Sequence, residues 1–371
     1  MSLLNRAHHF MSDSLWWGPR VCGRTRGKKG MACMALMHEH HIDDQYFPIH
    51  LQTILIDSIR TFDVFINIQG KMVLYHTGGD RFTAEVRNNL LDNRIMALYI
   101  LKTDRAAYNR YIEKNLGAIL VNPALTSTEK ADIAHTSITT LTQTLFENPR
   151  AQTIVRYKSA IFATMNYIMQ EDGAIKNLIR LTSHDFNTYT HSVNVGIFAI
   201  GLAKSILADD PSHNMNELAS GFFLHDIGKC FTPLPVLNKP GPLVEEEWEI
   251  MRRHPAEGYA LLKQMNALTP ESRVIVMEHH EHHDGKGYPR QLHGNQIHVY
   301  SKICRIADVF DALTSVRPYK ESKTPFQALQ TMKDEMRSEF DPHMFEQFVL
   351  LFGEGKIKKT LRYKQVRKYI P

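Results

Sequence analysis

The chain has 371 residues, 43% hydrophobic and 22% charged, the proportions of a folded protein of two or three domains. Its Gly 20, Pro 16 and Cys 4 exclude a disordered, collagen-like or disulfide-framework protein, and Cys22, Cys33, Cys230 and Cys304 form no CxxC pair, which predicts reduced thiols and a cytoplasmic setting. The net charge of +5 comes entirely from the two ends, and residues 31–355 sum to −7, so a nucleic-acid polymer is not an expected partner of the body.

Residues 1–43 form a basic tail without the apolar core of a secretory signal. Tyr46 to His76 reads as strands, with FDVFINI and KMVLYH separated by Gln69-Gly70, a hairpin signal. Helices are predicted at Thr83–Asn93 and Asp104–Asn115 with a strand near Ala97–Leu101, so residues 44–125 read as a small α+β domain of regulatory, dimerising or merely stabilising role. From Ser127 onward every periodic stretch is helical, predicting helices at about 127–146, 149–182, 187–207, 215–226, 244–266, 270–281, 300–315, 325–335 and 343–352. The fold class is therefore α+β overall: the small N-terminal domain, then a helical linker and an all-α domain over 126–371, with its core at about 150–350. The longest uncharged apolar run is about Val193–Ala203, short of the roughly 18 residues a membrane span needs, so no transmembrane segment is expected. The segment 231–245, with four prolines, reads either as a lid or as rigid packing.

Histidine is concentrated: residues 184–298 hold eleven of the twenty. They fall in ordered elements: His184 and His191 in SHDFNTYTHSVNV, His225-Asp226 in FFLHDIGK, His254 in RRHPAEG, and the run HHEHHDGKGYP from His279 to Pro289. Asp308 in RIADVFDALTSVRPYK completes the series. An Asp ending an apolar segment is costly unless a cation meets it. Adjacent helical residues diverge by about 100°, so the His225-Asp226 and His279-His280 pairs suit two metals rather than one. Imidazole and carboxylate donors without cysteine fit iron, manganese, zinc or a similar divalent ion. A carboxylate between two such ions, with an open position for water, is the arrangement for phosphodiester hydrolysis.

In these motifs, HS (191–192), HDIGK (225–229), HPxxG (254–258), HHExxDGxGYP (279–289) and IADxFDALTSxRPYK (306–320), the chain resembles the HD-GYP family of metal-dependent phosphohydrolases over about residues 150–350. The resemblance implies an enzyme, a cyclic di-GMP phosphodiesterase yielding pGpG and then GMP. The alternatives are an HD phosphohydrolase for another cyclic dinucleotide, or an effector that senses cyclic di-GMP with little catalysis. It implies metal ligands His191, His225, Asp226, His254, His279, His280 and Asp308, with Asp226 bridging and Lys229 assisting the catalytic step. Substrate contacts would be Asp284, Gly285, Gly287, Tyr288, Arg317 and Lys320. Asp311 would touch either the substrate or a ligand. Three-metal members carry Glu four residues before the first ligand His; Asn187 stands there, so two ions, iron or manganese, are expected. His184 is read as a surface residue with a ligand or substrate role as the alternative, and His282 and His283 as solvent-exposed. Partners implied are cyclic di-GMP, a second copy of the chain, and a diguanylate cyclase or other signalling proteins. The region of YFPI (46–49), a hairpin and then a helix ending at LYILKTDRAAYNRYIEKNL resembles the segment ahead of some such catalytic domains.

Overall fold

Strands form where β-branched and aromatic residues alternate, and the first such segments build an antiparallel sheet of order β1-β4-β2-β3. The computed structural model describes residues 45–182, 188–207, 209–316 and 322–353. Within it the chain divides into two compact units meeting in sequence at Lys130 and Ala131.

In the first unit β1 (Tyr46–His50), β2 (Val64–Ile68), β3 (Lys71–His76) and β4 (Ala97–Leu101) carry the sheet, with α1 (Ala84–Asp92) and α2 (Arg105–Leu120) beside it. Gln69 and Gly70 join β2 to β3 with φ of 49° and 83°, the left-handed pair that a two-residue hairpin turn requires. Thr83 caps α1 by accepting the Val86 N–H. The core sets Phe62 edge-on against Tyr108 and Tyr111, both at 5.7 Å between ring centres. Helix α2 runs to Leu120, five residues past the predicted end, because Leu116, Ile119 and Leu120 continue its buried face.

The second unit is helical. Its elements are α3 (Ser127–Glu147), which begins just before the division, α4 (Ala151–Gln170), α5 (Ala174–Leu181), α6 (Thr188–Leu207), α7 (Met215–Phe223), α8 (Leu234–Leu237), α9 (Glu245–Met251), α10 (His254–Gln264), α11 (Pro270–Glu278), α12 (Val299–Thr314), α13 (Pro325–Asp334) and α14 (Pro342–Leu350).

Two predicted helices are split, and others end early, 270–281 at Glu278, 343–352 at Leu350 and 215–226 at Phe223. The 149–182 stretch breaks at Gly173, whose φ of 82° ends α4 and starts α5. The 244–266 stretch breaks at Arg252-Arg253, because the Pro255 ring cannot share a turn with the carbonyl four residues earlier, and His254 opens a new helix. The 215–226 stretch ends at Phe223, and His225 and Asp226 lie in the turn before a 3₁₀ turn at Ile227–Phe231.

Helix α6 is the axis of this unit, packed by α5, α7, α12 and α14. It is long and apolar enough by composition to cross a membrane, yet 83% of its apolar window is buried inside the unit. Phe198 on α6 meets Phe310 on α12 edge-on at 5.0 Å, and both rings pack on Phe348 of α14. This apolar seam lies along the same two helices that carry His191 and Asp308, so the core fixes the spacing of those two side chains.

Candidate metal centre

Five separate elements deliver side chains to one buried locus: α6 gives His191, the turn after α7 gives His225 and Asp226, the start of α10 gives His254, the end of α11 gives His279 and His280, and α12 gives Asp308. Asp226 is the hub. Its Oδ2 lies 3.4 Å from His191 Nε2 and 3.5 Å from His225 Nε2. Its Oδ1 lies 3.2 Å from His254 Nε2 and 3.6 Å from His279 Nε2. Two groups of donors therefore share one carboxylate: His191, His225 and Asp226 on one side, and Asp226, His254, His279 and His280 on the other. Asp308 closes the ring, 3.2 Å from His191 Nε2 and 3.6 Å from His280 Nδ1.

The other ring nitrogens explain why the Nε2 atoms face inward. The Nδ1–H of His225 donates to the Phe222 carbonyl at 2.9 Å, that of His254 to Met251 at 2.7 Å, and that of His279 to Val276 at 2.9 Å. Each acceptor is the carbonyl three residues earlier, at a helix end or in the turn that follows it. A carbonyl can only accept, so each Nε2 is left with its lone pair toward the centre. His191 instead donates its Nδ1–H to Asp311 Oδ2 at 2.7 Å, and Asn194 and Ser315 hold that carboxylate from the other sides at 2.8 and 3.1 Å. Asp311 is therefore buried behind His191, which corrects the substrate-contact expectation: both its oxygens are spent inside the protein, and it orients a ligand.

These residues fit divalent metal on their own geometry. His225 Nε2 and Asp226 Oδ1 are buried without a hydrogen-bond partner, and the His254 and His279 Nε2 lone pairs oppose each other at 3.2 Å. Burial without a partner is costly, and facing lone pairs repel, unless a cation lies between them. Electrostatics favours the same state. Burial drives His279 down to about 4 and His280 well below the ordinary imidazole value, so both are neutral donors. Burial alone would raise the Asp226 carboxyl, but the Lys229 charge and contacts with His225 and His254 override it and hold Asp226 well below the usual carboxylate range. Asp308 is likewise held low against burial, chiefly by the His191 hydrogen bond. His191 moves the other way: burial would lower it, but Asp308 and Asp311 raise it to about 9, so a proton stands there until a metal replaces it.

Close backbone approach holds these elements together. A Cβ on Gly228 would lie 1.9 Å from the His254 carbonyl oxygen, and one on Gly258 would lie 2.9 Å from Gly228 N. The glycines of HDIGK and HPxxG are thus the contact that seats Asp226 beside His254. Gly287 does the same for the loop after His280, since a Cβ there would meet the His282 N–H and His280 carbonyl at 2.3 and 2.4 Å. The Tyr288 N–H then donates to the His280 carbonyl at 3.1 Å, and the Tyr288 ring stacks on His280 at 4.6 Å.

Other expected residues fall as follows. Lys229 donates to Asp226 Oδ2 in a charge-assisted bond. Asp284 accepts from the Lys286 N–H and the Ser338 hydroxyl, and Gly285, with φ of 81°, lies over the His293 ring. Both shape the loop. His282 is not solvent-exposed as expected; Arg305 holds it at 2.9 Å and pairs with Glu339 beside it. His184, Asn187, Arg317 and Lys320 lie outside the described residues. Sequence reading missed Asn194, Arg305 and Glu281. Arg305 Nη1 lies 3.8 Å from Asp308 Oδ2, and buried Glu281 accepts the Arg290 and Leu292 N–H groups at 2.6 and 2.9 Å, pinning the chain after Pro289.

Comparison with known proteins agrees with this geometry. Residues 174–344 match the HD domain family. A cyclic di-GMP phosphodiesterase of Pseudomonas aeruginosa is 38% identical over 203 residues, 54% of this chain and 48% of the relative. A 3′3′-cGAMP-specific phosphodiesterase of Vibrio cholerae is 39% identical over 160 residues, 43% of this chain and 30% of the relative. The chain thus spans about half the length of these relatives or less. An HDG"Y"P protein of Bdellovibrio bacteriovorus shares the fold with a TM-score of 0.57 at 22% identity, covering 82% of this chain and 98% of that one. The motifs gathered around Asp226 thus lie within residues 174–344, the stretch that matches the HD domain family.

Proposed function

We propose that the chain is a cyclic di-GMP phosphodiesterase, with pGpG as its first product and GMP as the product of a second cleavage. The observation that carries this reading is Asp226, whose two oxygens each face a separate set of imidazole nitrogens. His191, His225, Asp226, His254, His279, His280 and Asp308 would hold two divalent ions, iron or manganese by donor type. Such ions supply, when bound, activation of water at neutral pH and neutralisation of phosphodiester charge.

The protein's own groups do the rest. Asp311 and the carbonyls of Phe222, Met251 and Val276 keep four histidines in the tautomer that presents Nε2. Lys229, bonded to Asp226, places a positive charge at the edge of the cluster, where it would meet negative charge growing on phosphate oxygens. Tyr288, held protonated by burial, offers a hydroxyl donor from the loop that Gly287 folds against His280. Arg317 and Lys320 would grip substrate phosphate, Arg317 in bidentate fashion. The reading places the enzyme in the cytoplasm, with residues 44–125 as a regulatory or dimerising domain and a second copy or other signalling proteins as partners.

The relative specific for 3′3′-cGAMP supports a second reading, hydrolysis of a different cyclic dinucleotide at the same centre. The test is a panel in which anaerobically metal-loaded protein meets cyclic di-GMP, 3′3′-cGAMP and cyclic di-AMP, with products resolved over time. We expect the highest kcat/KM on cyclic di-GMP, with pGpG appearing first. A higher value on 3′3′-cGAMP would establish the second reading, and tight binding without any product would establish a sensing role.

A further inference from the structure

The segment joining Lys229 to His254 is unusually apolar at its surface for a chain stretch flanked at both ends by the metal cluster. Phe231 is 51% exposed, Leu234 68%, Val244 53% and Trp248 40%, and none of these was used in the site described above. Phe231 follows Lys229 by two residues, and Arg252 precedes His254 by two.

Three of these positions are organised. Glu245, Trp248 and Arg252 are spaced by three and four residues, so they share one face along α9 and its end. The Arg252 guanidinium lies over the Trp248 ring at 5.7 Å and donates to Glu245 Oε1 at 2.6 Å, which holds it there. The carbonyl of Met251, next to Arg252, accepts the His254 Nδ1–H at 2.7 Å, so the end of α9 abuts an expected ligand of the centre. The result is a half-exposed indole, backed by a cation, on the helix whose last carbonyl holds His254.

An indole face with a guanidinium at its edge is the chemistry that takes a flat heterocycle carrying nearby phosphate. We propose that Trp248, positioned by Arg252 and Glu245, is the stacking platform for one purine base of the cyclic dinucleotide. The proposal rests on the function proposed above and deepens it, assigning base recognition to a segment that carries none of the family motifs. Continuity with the metal cluster is what commits the platform to substrate: a base seated on Trp248 keeps its phosphates within the field of Arg252 and Lys229. An exposed apolar face for a protein partner would not need the cation over the ring.

The experiment uses the full chain with Trp16→Phe and Trp17→Phe, which leaves Trp248 as the single tryptophan. Cyclic di-GMP is titrated into metal-free protein, and Trp248 fluorescence is read without turnover. Saturable quenching, absent with ribose 5-phosphate, is the expected result; unchanged fluorescence at concentrations that saturate binding by calorimetry, or no binding at all, would overturn the platform. In metal-loaded protein, Trp248→Ala is expected to raise KM for cyclic di-GMP about tenfold with kcat within about threefold, the effect of losing one base–aromatic stack. Trp248→Phe should restore most of that KM, and equal KM values for all three proteins would also overturn the proposal. Hydrolysis of methyl p-nitrophenyl phosphate, which has no base, separates the two claims. Wild-type protein that cleaves it but not cyclic di-GMP refutes the proposed substrate, while the quenching experiment still decides the platform.

Discussion

Replacing Gly228 with alanine should dismantle the centre while leaving every ligand side chain in the sequence. The added Cβ would lie 1.9 Å from the His254 carbonyl oxygen, 2.7 Å from Gly258 N and 2.8 Å from the His254 carbonyl carbon. All three are backbone atoms, so no side chain can swing aside. Reaching even a 3.0 Å contact requires the 225–229 turn and the start of α10 to part by about 1.1 Å. That motion is taken directly from the 3.2 Å separation of Asp226 Oδ1 and His254 Nε2, since each group sits within two residues of the contact or on it. A misplacement of about 1 Å typically costs about a hundredfold in rate, and overpacking of this kind costs about 1–3 kcal/mol in stability. Gly117→Ala on α2 is the control, because a Cβ there meets nothing within 4 Å and an exposed helical Gly→Ala change stabilises by up to about 1 kcal/mol. Metal content after anaerobic reconstitution, kcat/KM and the thermal midpoint are measured for wild type and both variants. Gly228→Ala protein with wild-type metal content and kcat/KM would refute the claim that this glycine contact sets the geometry.

Two further outcomes follow from particular bonds. Asp311→Asn removes the charged acceptor of the His191 Nδ1–H while leaving all seven expected ligands in place, and metal affinity, measured by competition with a chromogenic chelator, should fall about 10- to 100-fold. His298 caps α12 by accepting the Tyr300 N–H on Nδ1, and burial lowers its pKa to about 4. The unfolded chain therefore takes up a proton below about pH 6.5 that the folded chain refuses, so His298 costs stability progressively as pH falls from about 6.5 toward 4. His298→Asn keeps a capping oxygen and should narrow the gap in thermal midpoint between pH 7 and pH 5; an unchanged gap would contradict the assignment.

Much of this was legible in sequence because the relevant signals are local. Gln69-Gly70 between two β-rich runs could only be a tight turn, Thr83 before an apolar-periodic stretch marked a helix start, and the clustered histidines marked the centre. What escaped reading depends on contacts distant in sequence or on turns that periodicity does not register. His225 and Asp226 were expected on one helix with diverging directions, yet they lie in a turn past Phe223, and a tight turn lets both face inward. Pro255 was visible, but its splitting of the 244–266 stretch matters only because His254 then begins a helix and frees the Met251 carbonyl to accept its Nδ1–H. Gly228 and Gly258 appear in the sequence only as members of HDIGK and HPxxG, and it is the fold that makes each the space the other needs. Asn194 stands three residues after His191 and faces the same way on α6, a spacing that could have suggested a shared partner in Asp311. Arg305 and Glu281 gave no such signal, since their partners Glu339, Arg290 and Leu292 are set by loops.

The central claim is that Asp226 joins two metal positions and that cleavage of a cyclic dinucleotide depends on that junction. The direct test is to load wild-type and Asp226→Asn protein with iron or manganese under anaerobic conditions, then measure bound metal and cyclic di-GMP hydrolysis on the same samples. The account requires about two ions per wild-type chain with pGpG formed, and loss of both bound metal and product in the variant. A variant that retained the full metal complement and turned over cyclic di-GMP at the wild-type rate would contradict it.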